Sequence, residues 1–129
     1  MSSTNLRGIK PKLQRDRDPL TRTPPAPKWL GEEARAEWRR VLPRLVEDRI
    51  ITRADLGGVE AYCVAAGRVR DLEKAIQDGG GTDTKLMRMQ NQAMQTARQL
   101  ASEYGLSPTS RARVQAQETA DDEPSPLDQ

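Results

Sequence analysis

Three consecutive glycines, Gly79-Gly80-Gly81, set between Asp78 and Thr82-Asp83, cut this chain into two long stretches. A helix does not persist through such a run, because each glycine costs close to ~1 kcal/mol relative to alanine in a helix interior. On both sides apolar residues recur at helical spacing. Before the glycines, Leu56, Val59, Cys63, Ala66 and Val69 form a stripe with Tyr62, Leu72 and Ile76 at its edges. After them, Leu86, Met89, Ala93, Ala97, Leu100 and Tyr104 fall in register, with Gln90, Gln92, Gln95 and Gln99 expected on the outward face. Two helices joined by so short a loop fold back into a long antiparallel hairpin.

The ends of these helices are marked. Thr52-Arg53-Ala54-Asp55 reads as a capping box in which Asp55 replaces the usual Glu, opening a helix over 53–77. Gly57, Gly58 and Gly67 weaken that helix and at the same time permit close approach of a neighbour. The last helix, over 84–104, ends at Gly105, with Pro108 confirming the stop. A further helix precedes the hairpin, from 31 or 32 to 46. Its face is Ala34, Trp38, Val41, Leu42 and Leu45, with Glu32 and Glu33 suiting its first turn. Pro43 inside it predicts a kink near Arg39, and Arg35 and Arg39 are expected on the solvated side. Nothing alternates at period two. The fold expected is all-α: a three-helix subunit occupying 29–113.

Outside that body the composition changes. Residues 1–28 carry Pro11, Pro19, Pro24, Pro25 and Pro27 with few large apolar groups, and are expected to be a disordered arm. Their seven bases (Arg7, Lys10, Lys12, Arg15, Arg17, Arg22, Lys28) against Asp16 and Asp18 give a net charge of +5. Residues 114–129, expected to be a disordered tail, hold five acids and no base, a net charge of −5, while 29–113 carries +2. A basic arm, a balanced body and an acidic tail suit a chain one end of which meets a polyanion.

With 129 residues there is room for one domain, and with no Phe, two Trp and two Tyr its core is thin. A mean hydropathy of −0.82 points to wide polar faces. Thin cores of this size favour association. There is one Cys, Cys63, and no His, so an internal disulfide, a zinc site of Cys and His, and a Ser-His-Asp triad have no residues to use. No apolar run approaches the ~20 residues that span a bilayer. Met1-Ser2-Ser3-Thr4-Asn5 lacks an apolar signal segment, so a cytoplasmic protein is expected.

Each candidate for chemistry has a plain reading beside the sharp one. The basic arm either solubilises the chain or contacts phosphates with little sequence preference. Lys28-Trp29-Leu30 offers an aromatic and a cation to nucleic acid, but a Trp ahead of a helix more often staples its first turn. Trp29 and Trp38 are therefore expected in the core. Arg111 and Arg113 serve DNA, a subunit interface, or solvent. A helix-turn-helix fits poorly, because the second helix is too long and begins with Leu56, Gly57, Gly58 and Val59. The triple glycine lacks the Gly-Lys-Ser/Thr of a P-loop. Asp71, Glu73 and Asp78 suit solvated faces, and Cys63 suits packing. An enzyme is not expected, and no cofactor or metal.

The stretch Pro-Pro-Ala-Pro-Lys-Trp-Leu at 24–30, followed by Ala34, Trp38, Pro43 and Ile51-Thr52-Arg53-Ala54-Asp55, and the stretch Leu-Ser-Pro-Thr-Ser-Arg-Ala-Arg at 106–113, together resemble the small subunit of phage terminases of the siphophage type. The resemblance covers 22–113. It implies a DNA-packaging adaptor in the host cytoplasm that binds double-stranded viral DNA as a homo-oligomeric ring of about eight to ten copies. The adaptor hands DNA to the terminase large subunit, which holds the ATPase and nuclease. Under it, Arg7, Lys10, Lys12, Arg15, Arg17, Arg22, Lys28, Arg111 and Arg113 are candidate DNA contacts. Trp29, Trp38, Leu42, Val59, Cys63, Val69, Leu86, Met89, Ala93, Ala97, Leu100 and Tyr104 are candidates for core and subunit packing. The acidic tail would dock on the large subunit or shield the arms. Relatives usually carry a longer insertion ahead of the last helix, ending in Asn-Pro; here Asn91-Gln92 is not followed by Pro, which leaves the start of that helix open. The alternatives are a helical head-assembly protein that does not bind DNA (a connector or scaffold component) and a small dimeric DNA-binding regulator.

Overall fold

The computed structural model describes residues 19–106 together with Ala116 and Thr119. The expectations for 1–18, for Arg111 and Arg113 and for the remainder of the acidic tail lie outside the described residues. Within them are three α-helices, α1 (Glu32–Glu47), α2 (Leu56–Asp78) and α3 (Thr84–Glu103), with a 3-10 turn at Arg53–Asp55 leading into α2. No strand occurs among the described residues; Pro19 and Thr52 form an isolated antiparallel bridge.

Helix α2 is central and packs against both α1 and α3, each running antiparallel to it. The core lies mainly between α1 and α2: Ala34, Trp38, Val41, Leu42, Leu45 and Val46 meet Val59, Tyr62 and Cys63, with Leu30 and Ile51 closing the ends. Ala97, Leu100, Ala101 and Tyr104 of the α3 end pack on this cluster. None of the long helices is long and apolar enough to cross a membrane.

Local chemistry explains the boundaries. Asp55 accepts the Thr52 amide (2.8 Å), the expected half of the capping box. Asp83 caps α3 by accepting the amides of Lys85 and Leu86 at 3.0 and 3.1 Å, which fixes that helix's start. Gly80 and Gly81 take positive φ in the turn between α2 and α3. Gly105, at φ 72°, closes α3, and the Leu106 amide returns to the Ala101 carbonyl. The same motif closes α1, but Arg49 occupies the left-handed position, at φ 54°. The Arg49 amide reaches the Val46 carbonyl and that of Ile50 reaches Leu45.

Several expectations are corrected. Residues 19–28 of the supposed disordered arm pack on the bundle. Trp29 is 64% exposed and does not staple α1. With Gly31 as N-cap, the staple position immediately before it belongs to Leu30, which is 2% exposed. On α3, Met89 faces solvent at 47% exposed, and Gln90 turns inward at 8%. The inward seam is Leu86, Gln90, Ala93, Ala97, Leu100, Tyr104, a strict alternation of four and three. Gln90 belongs there because its amide nitrogen bonds the Val69 carbonyl (3.3 Å) and Glu73 Oε1 (2.9 Å). Leu86, Ala93 and Val69 are half-buried. Arg35 is also half-buried rather than solvated. Helix α1 runs unbroken through Pro43; Pro43 and Arg39 are exposed, so water can serve the carbonyl of Arg39 that loses its partner.

Candidate nucleic-acid interface

Residues 19–30 form a strap laid along α1 and held at both ends and in the middle. At its start the Leu20 amide donates to the Ile51 carbonyl (3.1 Å), and Leu20 packs on the core. Midway, the buried indole of Trp38 donates from Nε1 to the Pro24 carbonyl (2.9 Å). This bond satisfies the only polar atom of an otherwise apolar side chain. At the far end the strap turns, with the Leu30 amide bonded to the Pro27 carbonyl. Arg35 fixes that turn by donating from Nε to the Leu30 carbonyl (2.9 Å) and from Nη2 to the Lys28 carbonyl (2.8 Å).

Between strap and helix lies a cleft of about 460 Å³, with Trp38, Pro24, Pro25 and Pro43 among its apolar walls and Lys28, Arg35 and Arg39 as its charged groups. No carboxylate among the described residues lines it. Arg22, Lys28 and Trp29 project from the strap into solvent. Among the described residues none of Arg22, Lys28 and Arg39 has an ion-pair partner.

Two acids of α1, Glu33 and Glu37, are drawn to its other side. Lys74 Nζ of α2 sits 2.6 Å from Glu33 Oε1, and the pairing holds the Glu33 carboxyl below the usual range and the Lys74 ammonium above its own. Glu37, 0% exposed, takes Arg40 Nε (2.9 Å), Arg70 Nη2 (2.6 Å) and the Tyr62 hydroxyl (2.5 Å). Burial pushes its carboxyl upward, but these three donors outweigh burial and hold it at about 2. Burial and the bond to Glu37 push the Tyr62 phenol up to about 12. Among the described residues the charged groups lining the cleft are thus cations.

Of the expected DNA contacts, Arg22 and Lys28 are exposed on this edge, and Arg7, Lys10, Lys12, Arg15, Arg17, Arg111 and Arg113 lie outside the described residues. Arg39 joins the edge although nothing in its sequence surroundings distinguishes it from other surface arginines. Trp38, Leu42, Val59 and Cys63 are buried in the core. Burial pushes the Cys63 thiol up to about 12, which keeps it neutral and poorly nucleophilic. The Glu37 cluster escaped the sequence reading; its signal was an acid in the middle of the Ala34–Leu45 apolar face.

The described residues therefore make up a small all-α domain with a cationic edge along the strap. A family described as phage terminase, small subunit, matches residues 34–121. The chain belongs to that family. The match begins beyond the strap, in the first turn of α1, and runs through α2 and α3. No curated relative and no solved structure matches the chain.

Proposed function

We propose that the chain is a non-catalytic packaging adaptor that binds double-stranded viral DNA along the strap edge and passes it to the terminase large subunit. The observation that carries this reading is the row of cations at Arg22, Lys28 and Arg39, none of them ion-paired among the described residues, with Glu33 and Glu37 of α1 engaged elsewhere. In sequence the row continues into Arg17, Arg15, Lys12, Lys10 and Arg7. Cations of this kind gain affinity by releasing counterions from the duplex, and they position the chain without reading bases. A ring of copies multiplies many weak contacts into firm binding. Self-association is supported by α3, of which Gln90 is the one buried residue and which exposes Met87, Met89 and Met94.

The test is duplex affinity across a salt series for the full chain and for the variant Arg22→Glu, Lys28→Glu, Arg39→Glu. Each lost phosphate contact should remove about 0.9 from the slope of log affinity against log salt, so the triple variant should lose up to about 3. An unchanged slope moves the DNA site away from this edge. Absence of duplex binding by the unaltered chain ends the reading and favours a head-assembly role.

A further inference from the structure

We propose that the cleft between strap and α1 is the docking site for the acidic C-terminal segment of this same chain, residues 121–128. The segment reads Asp-Asp-Glu-Pro-Ser-Pro-Leu-Asp: four carboxylates, two prolines, one leucine and no base. The cleft is its chemical complement. Lys28, Arg35 and Arg39 supply the charge, and the exposed rings of Pro25 and Pro43 supply an apolar wall. A proline-containing segment is already extended and loses little entropy on binding. The volume of about 460 Å³ falls in the range of ~300–1,000 Å³ typical of ligand sites.

The tether allows it. Gly105 and Leu106 lie against the C-terminal end of α1, sharing a recess with Arg44, Leu45 and Ile50. The cleft opens beside Arg39 and Pro43 on the same helix, about 8 Å away along its axis. The stretch from 106 to 121 spans up to about 50 Å when extended, so reach is not limiting. A tethered ligand of this kind acts at an effective concentration near mM, which favours it over a free acidic peptide from another protein. Docking occupies Lys28 and Arg39, so the tail would hold the edge until a stronger polyanion displaces it. The inference goes beyond the DNA reading and is tested without DNA.

Because Cys63 is buried, Ser125→Cys places a nitroxide at one site in the full chain. The amide signals of Thr23, Lys28 and Arg39 and the Trp38 indole signal should fall by roughly half or more, as a tethered ligand at mM effective concentration requires. Signals of Met87 and Met94 should be unchanged. The variant Lys28→Glu, Arg39→Glu should restore the signals, as should salt at about 1 M, where the screening length is about 3 Å. Both substitutions are at exposed positions, and unchanged core signals would verify the fold. The inference is overturned if the cleft signals are not broadened, if broadening is uniform, or if it survives charge reversal and salt. Broadening that arises only from spin-labelled copies mixed with isotope-labelled ones overturns the same-chain form. Failure of the chain to bind duplex DNA would remove the preceding reading and leave this result standing.

Discussion

A methyl group on Gly67 would stand 2.8 Å from the backbone nitrogen of Ala34 and 3.3 Å from its side chain, so α1 and α2 meet backbone to backbone at this point. The neighbour is main chain and cannot swing aside. Gly67→Ala should therefore destabilise the fold by about 1–3 kcal/mol despite alanine's better helix propensity. At Gly57 an added Cβ meets nothing within 4 Å. Gly57→Ala should stabilise by about 0.5–1 kcal/mol. Urea unfolding of the two variants checks the pair, and a gain in both would mean that the helices tolerate a wider separation.

The Glu37 cluster predicts acid sensitivity. Its carboxyl is held at about 2 in the fold against an ordinary value of 4.5. A depressed carboxyl contributes stability that is complete above the unfolded value and is lost as protons bind on the way down. The loss should run from about pH 4.5 to about pH 2, on the order of 3 kcal/mol at full extent. Glu37→Gln should cost stability at neutral pH, because Arg70 and Tyr62 lose a charged partner, and should flatten this acid limb. Chemical unfolding at several pH values between 2 and 7 gives the comparison; an equally steep limb in the variant assigns acid sensitivity to other carboxylates.

Arg49 holds a left-handed backbone, φ 54°, at the position closing α1 where glycine is the usual choice. That conformation costs a side-chain-bearing residue about 1–2 kcal/mol, partly offset in a glycine variant by the entropy of its unfolded chain. Arg49→Gly should raise stability by roughly 0.5–1 kcal/mol, seen as a higher Tm of a few degrees. A fall in Tm would show that the arginine side chain contributes more than its backbone costs.

What the sequence made legible was what repeats. Helix positions follow from periodicity, and the ends at Thr52 and Gly105 follow from residues whose chemistry suits few other places; the Asp83 cap that starts α3 escaped that reading. Trp29 and Leu30 were exchanged because both are large and apolar, and the N-cap register that separates them is set by one residue. Met89 and Gln90 were exchanged for the opposite reason: hydropathy places Met inward, while the tertiary partners Val69 and Glu73 reward an amide there. The strap was hidden because prolines and charges read as disorder. Its order comes from long-range bonds to Trp38 and Ile51, which have no local signature. The cationic edge was half visible, through Arg22 and Lys28, but Arg39 joins it only once Glu33 and Glu37 are seen turning toward α2.

Those same exchanges indicate where copies of the chain would meet under the proposed self-association. Met87 and Met94 are seven residues apart and share one flank of the α3 seam, while Met89 lies on the other; all are exposed. Flexible thioethers on a thinly covered helix suit a surface that another helix covers, and Trp29 is the kind of residue that concentrates interface energy. If α3 makes the subunit contact, Met87→Glu with Met94→Glu should shift the native mass from a multimer toward single chains without loss of helix content. Trp29→Ala serves as the comparison on the strap edge. A multimer that survives both changes would place the contact outside these surfaces. A chain that is monomeric from the start would leave the exposed methionines without the role assigned to them and would remove the multivalent basis for DNA binding.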